Sequence, residues 1–175
     1  MVIYKLFILV RSYWVRIRER LAQLNTLHNQ EKYAEAFKLV EKLLEDYPYS
    51  VELLVKRAKI IQLLDNDDAA TPSLETAKES LKTANVIAPQ SIEPCIELGY
   101  FEYAINNCPG DAINYFEAAR KNAELGLKEA LIGEIKCYID MNKTSKAREI
   151  IEKAKIFFPD DSEIGFLEFE LQEYE

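Results

Sequence analysis

Apolar side chains recur along this chain at helical spacing. Ala36, Ala77, Ala112 and Ala147 are each followed four residues later by a bulky apolar residue, namely Val40, Leu81, Phe116 and Ile151. Three residues further on stand Leu43, Ala84, Ala119 and Ala154. These offsets fall on one face of a helix, so each set predicts an amphipathic helix whose buried stripe contains small residues. Short side chains let a second helix approach closely, so each predicted helix should have a closely packed partner. Twelve residues after three of the alanines comes a proline, Pro48, Pro89 or Pro159, while the third unit has Glu124 there. Proline lacks the amide hydrogen and clashes with the preceding turn, so it ends a helix.

The four alanines are separated by 41, 35 and 35 residues. A near-constant period of this size indicates a repeat architecture whose unit is helix, turn, helix, stop. The pattern resembles the tetratricopeptide repeat, about 34 residues long, and the resemblance covers residues 17 to 161. The first-helix pattern of that family is matched more weakly, by Ala58, by Leu98 and Gly99, and by Tyr138. On this register the repeats are 17–50, 51–91, 92–127 and 128–161, and residues 162–175 form an amphipathic helix that caps the apolar end of the last repeat. The expected fold is all-α, a right-handed superhelical solenoid of antiparallel helix pairs with about four repeats and a C-terminal capping helix.

The second repeat is the longest, and its extra length falls at Asp65-Asn66-Asp67-Asp68-Ala69-Ala70-Thr71-Pro72, a predicted acidic loop. Thr71 is placed to cap the following helix and Pro72 to begin it. The loop lacks the glycine and the downstream glutamate of an EF-hand, so no calcium site is expected. Ser50, Ser91 and Asp161 stand where helix caps are wanted at the repeat starts.

Composition agrees with a folded helical chain: 175 residues, 49% hydrophobic, with 5 glycines and 6 prolines. Charge changes the picture more. The formal net charge is -8, yet residues 1–20 carry Lys5, Arg11, Arg16, Arg18 and Arg20 against Glu19 alone. An acidic body repels phosphate backbones and attracts basic peptides, which argues against nucleic acid as a partner. Cys95, Cys108 and Cys137 are odd in number with no close pair, so neither disulfides nor a zinc site is expected, and a reducing cytoplasmic setting is. Cys95 and Cys137 are read as small packing residues.

Residues 1–16 are expected to form an apolar and basic N-terminal helix. The stretch from Val2 to Ile17 is interrupted by Lys5 and Arg11 and is too short for a typical span. Three roles remain open for it. It packs on the first repeat or on a second copy of the chain, it lies on a membrane surface with its arginines near anionic headgroups, or it is a truncated or shortened anchor.

The resemblance implies that the first helix of each repeat lines a concave groove that holds a peptide or protein segment. Carried onto this chain, its inward positions give Glu93, Ile96, Glu97, Tyr100, Tyr103, Glu129, Ile132, Lys136, Phe166 and Glu170 as partner-binding residues. They describe an aromatic groove edged by glutamates, suited to a partner with apolar and basic side chains. Alternatively, the aromatics pack between repeats and the glutamates are solvated. The carboxylate clamp of some family members is not matched, because its places hold Leu21, Asn25, Lys56, Glu93 and Glu97.

His28, the only histidine, has no serine or cysteine at a catalytic spacing, and no glycine-rich phosphate loop occurs. No catalytic residue, metal or cofactor is expected, and the chain is read as an adaptor or scaffold rather than an enzyme. The competing reading is a self-associating assembly protein acting through residues 1–16, either cytoplasmic or peripheral to a membrane.

Overall fold

The computed structural model describes residues 18–64 and 72–173. The expected helix at 1–16 and the loop over 65–71, with Thr71 as cap, lie outside the described residues. All regular structure among the described residues is helical: α1 (18–29), α2 (Tyr33–Asp46), α3 (Val51–Leu63), α4 (Leu74–Ile87), α5 (Ile92–Tyr100), α6 (Pro109–Asp140), α7 (Thr144–Phe157) and α8 (Ser162–Glu173). The chain divides into two compact units, Met1–Phe116 and Glu117–Glu175. Helix α6 crosses that division.

The predicted stripes are the buried stripes. All four repeat alanines and the four residues seven positions after them are buried, as are Val40, Leu81 and Ile151. Each bulky member removed from water stabilises its unit by about 1.5–3 kcal/mol. Phe116 alone in this set is half-buried.

Proline sets one recurring ending. Before a proline the helical backbone is disfavoured, and Tyr47, Ala88 and Phe158, which precede Pro48, Pro89 and Pro159, share φ from -131 to -135 and ψ from 63 to 73. Each donates its N–H to the carbonyl four residues back, at 2.8–3.0 Å. The next helix is then capped from a side chain. Ser50 Oγ accepts from the Leu53 N–H, and Asp161 Oδ1 accepts from the N–H groups of Glu163 and Ile164. Ser91 makes no such bond.

A second recurring turn lies between the helices of three repeats. Glu31, Asn107 and Asn142 adopt φ of 58, 53 and 54. Each stands five residues before its repeat alanine. The equivalent place in the second repeat is Pro72, whose ring forbids positive φ. There α4 begins at Leu74, and Ser73 is the cap, accepting from the Thr76 N–H at 3.3 Å, so Pro72 does not open the helix as its sequence position suggests.

Two features depart from a regular helical pair. The first helix of the third repeat ends in a widened turn over Phe101–Ile105, where the Asn106 N–H reaches the Phe101 carbonyl. Helix α6 then continues without interruption through residues 127 and 128, where one repeat was expected to give way to the next. The residue at the stop position, Glu124, pairs with Arg120 one turn earlier and lets the helix run on.

Within Met1–Phe116, one cluster joins α1, α2 and α3 through Leu24, Val40, Leu43, Leu53 and Ile60, and another joins α3, α4 and α5 through Val55, Ile61, Leu81 and Leu98. Within Glu117–Glu175, the end of α6 packs on α7 and α8 through Ile132, Ile135, Ile139, Ile151, Ile164 and Leu167.

Candidate functional site

First helices of successive repeats are tied by polar side chains about one repeat apart. Lys56 Nζ donates to Asn25 Oδ1 at 2.8 Å, and Lys59 Nζ lies 2.8 Å from Glu93 and 2.9 Å from Glu97. In the second unit Lys136 Nζ lies 2.8 Å from Glu163, and Lys128 Nζ 3.0 Å from Asp161. Burial alone would push the Lys59 ammonium down, but hydrogen bonds to Glu93 and Glu97 outweigh it and raise its pKa. Solvent screens these surface pairs, so they add little to stability. They also decide which carboxylates remain available.

Glu93 and Glu97 are therefore engaged by Lys59. They share one face of α5 with half-buried Ile96 and exposed Tyr100, whose ring meets Phe116 edge-on at 5.1 Å. Tyr103, also exposed, belongs to the widened turn. In the second unit Glu129 is exposed, whereas Ile132 is 7% exposed and is a core residue of the α6–α7–α8 cluster. Lys136, Phe166 and Glu170 are brought together. With Ile139, Asp140, Glu163 and Leu167 they line a hollow of about 420 Å³ between α6 and α8. Phe166 is 63% exposed at its edge. Asp140 and Glu170 have no ion-pair partner among the described residues.

A hollow of about 340 Å³ in the first unit was not foreseen. It is lined by Leu24, Asn25, His28, Asn29, Lys56, Lys59 and Ile60. Its charged lining side chains are lysines, Lys56 paired with Glu52 and Lys59 with Glu93 and Glu97. His28 rests against Tyr33 with ring centroids 5.7 Å apart.

Glu102 in the widened turn is 4% exposed, and Lys78 reaches it at 2.7 Å while Asn106 donates to it at 2.7 Å. Burial pushes its carboxyl up, but these donors outweigh burial and hold it below the usual carboxylate range. Cys108 and Asp111 approach Glu102 closely enough that the three could share a cation. Lys78 already supplies a cation to that carboxylate, so the trio is read as part of the turn. Cys95 is buried, donates to Asn85 Oδ1 at 3.1 Å, and has its thiol pKa pushed up by burial. Cys137 is exposed, so it is not the packing residue that its apolar sequence neighbours suggested.

These helices define an all-α helical-repeat fold. No protein-family profile matches the chain. Among curated proteins it is similar to an uncharacterized 18.1 kDa protein in the carS 3'region of Myxococcus xanthus, at 28% identity over 105 residues, or 59% of this chain and 62% of that one. The chain thus spans about three-fifths of the length of the curated relative it matches. Among solved structures it is similar to the MamA protein, at 24% identity and a TM-score of 0.45, covering 90% of this chain and 86% of that one. Among the described residues no helix is long and apolar enough to cross a membrane.

Proposed function

We propose that this chain is a protein-interaction adaptor that binds a segment of another protein carrying an apolar anchor and a neighbouring Lys or Arg. The observation that carries this reading is the hollow between α6 and α8. There Phe166 stands exposed beside Ile139 and Leu167, with Asp140 and Glu170 without an ion-pair partner among the described residues. An apolar anchor seated against these side chains gains from burial, and a cation beside the two carboxylates fixes its orientation. Tyr100 and Tyr103 offer an independent aromatic contact in the first unit, where Glu93 and Glu97 act mainly through Lys59.

A binding role also suits the polar chemistry. His28 packs on Tyr33 and Cys95 is buried, so neither is set against a nucleophile or base. Three free cysteines support a reducing, cytoplasmic setting.

The test is calorimetric titration of the full chain with synthetic apolar–basic peptides. Binding should weaken about tenfold or more in Phe166→Ala and in Glu170→Lys. Affinity unchanged in both would remove the hollow as the site, and loss only in Tyr100→Ala/Tyr103→Ala would move the site to the first unit.

A further inference from the structure

We infer that the hollow between α6 and α8 receives residues 1–17 of a second copy of this chain, so that the protein self-associates head to tail. The inference rests on the binding reading above and names the partner. Residues 1–17 contain Lys5, Arg11 and Arg16 and no acidic residue. Their apolar stretches, Leu6 to Val10 and Tyr13 to Val15, are each followed directly by an arginine. An apolar anchor beside a cation is the chemistry for which the hollow is shaped.

Charge favours the hollow in the second unit. The one in the first unit is lined by Lys56 and Lys59, which pair with Glu52 and with Glu93 and Glu97, and no carboxylate lines it to attract a cationic segment. The one in the second unit presents Asp140 and Glu170, which have no ion-pair partner among the described residues, and Lys136 there is neutralised by Glu163. Helix α8 carries no basic residue, and with Glu163 paired to Lys136 and Glu168 to Lys155, Glu170 is its carboxylate open to the hollow. Segment and hollow are different surfaces of one chain, so the contact is heterologous and builds open chains unless its rotation closes a ring.

Trp14 is the only tryptophan, so its fluorescence reports the surroundings of the segment alone. Sedimentation equilibrium of the full chain over a concentration series should show mass rising above 20.2 kDa, with Trp14 emission moving to the blue over the same range. Asp140→Lys/Glu170→Lys should raise the dissociation constant about tenfold or more. Mixing that variant with Arg11→Glu/Arg16→Glu should restore association between the two. If the lysine variant loses helicity, Phe166→Ser provides the second test and should likewise weaken assembly.

A chain that stays monomeric throughout, or one that assembles equally well in all of these variants, overturns the inference. If the chain is monomeric yet binds a scrambled-order peptide of residues 1–17, and loses it in Phe166→Ala, self-association fails while the binding reading stands. If it neither assembles nor binds that peptide, both fail. A monomer that co-sediments with phosphatidylserine vesicles regardless of the hollow variants also overturns it and assigns the segment to a lipid surface.

Discussion

The ring of Phe116 occupies the space where a side chain on Gly99 would begin. A β-carbon built on Gly99 would lie 2.7–2.9 Å from three ring atoms of Phe116. Phe116 is the half-buried member of an otherwise buried stripe, and the missing β-carbon lets its ring lie across α5 and meet Tyr100. Gly99→Ala should therefore cost about 1–3 kcal/mol through overpacking. With Phe116→Ala already present the obstruction is gone. The same Gly99→Ala change should then stabilise α5 by about 0.5–1 kcal/mol, because alanine is the better helix former. Urea unfolding of the four proteins in this cycle gives the coupling, and additive effects would refute the steric account.

Glu102 and Lys78 tie the widened turn to α4, and their titration has a definite sign. The Glu102 carboxyl is below its usual range in the folded chain, because the donors from Lys78 and Asn106 outweigh burial. Its contribution is complete above the ordinary carboxylate pKa of about 4.3 and is lost as pH falls through the lower folded value. Lys78 is raised, chiefly by its hydrogen bond to Glu102. Its contribution is complete below the ordinary lysine value of about 10.4 and is lost as pH rises through the higher folded value. Glu102→Gln should destabilise the protein by about 1–3 kcal/mol at neutral pH, since it removes a charged hydrogen-bond partner from the half-buried Lys78. It should also remove part of the acid limb of stability against pH. Denaturant titrations at neutral and acid pH would show both effects, and an unchanged acid limb would exclude Glu102 as its source.

The features that the sequence made legible depend on short-range spacing. Ala36, Val40 and Leu43 fall on one helical face whatever the rest of the chain does, and a proline two residues past a helix forces the same backbone at Tyr47, Ala88 and Phe158. The candidate site was less legible because it depends on the rotation of each helix, where one residue turns a side chain by roughly 100°. Ile132 illustrates this: the family register placed it inward toward a partner, but the rotation of α6 places it in the core. Engagement of Glu93 and Glu97 by Lys59 arises between repeats, beyond any local pattern, although the shared spacing of about one repeat between opposite charges was a usable signal. Glu124 in place of proline was visible as a missing stop. That it leads to one unbroken helix required the structure.

The left-handed turns give a prediction of gain. Asn107 and Asn142 adopt positive φ with a residue type that tolerates it, while Glu31 adopts φ 58 with one that does not. Placing the residue used by the other two turns here, Glu31→Asn, should relieve part of a backbone cost of roughly 1–2 kcal/mol. Glu31 is exposed, so little contact is lost in exchange. A higher midpoint in thermal unfolding is expected, whereas Glu31→Val should lower it. A fall with Asn would mean that the Glu31 side chain makes a stabilising interaction larger than the strain.

Two residues of the second unit separate folding from binding. Ile132 is buried among Ile135, Ile139 and Ile151, so Ile132→Ala should cost about 2–5 kcal/mol and act on any partner only through the fold. Phe166 is mostly exposed, so Phe166→Ala should change stability by less than about 0.5 kcal/mol. It should nevertheless weaken an apolar–basic ligand about tenfold or more, because an aromatic at the edge of a shallow hollow supplies contact area only when something covers it. Measuring each variant by both denaturant unfolding and peptide titration distinguishes the two roles. Stability lost with Phe166→Ala and affinity retained would show that Phe166 packs within the repeat, and the hollow would then lose its principal anchor.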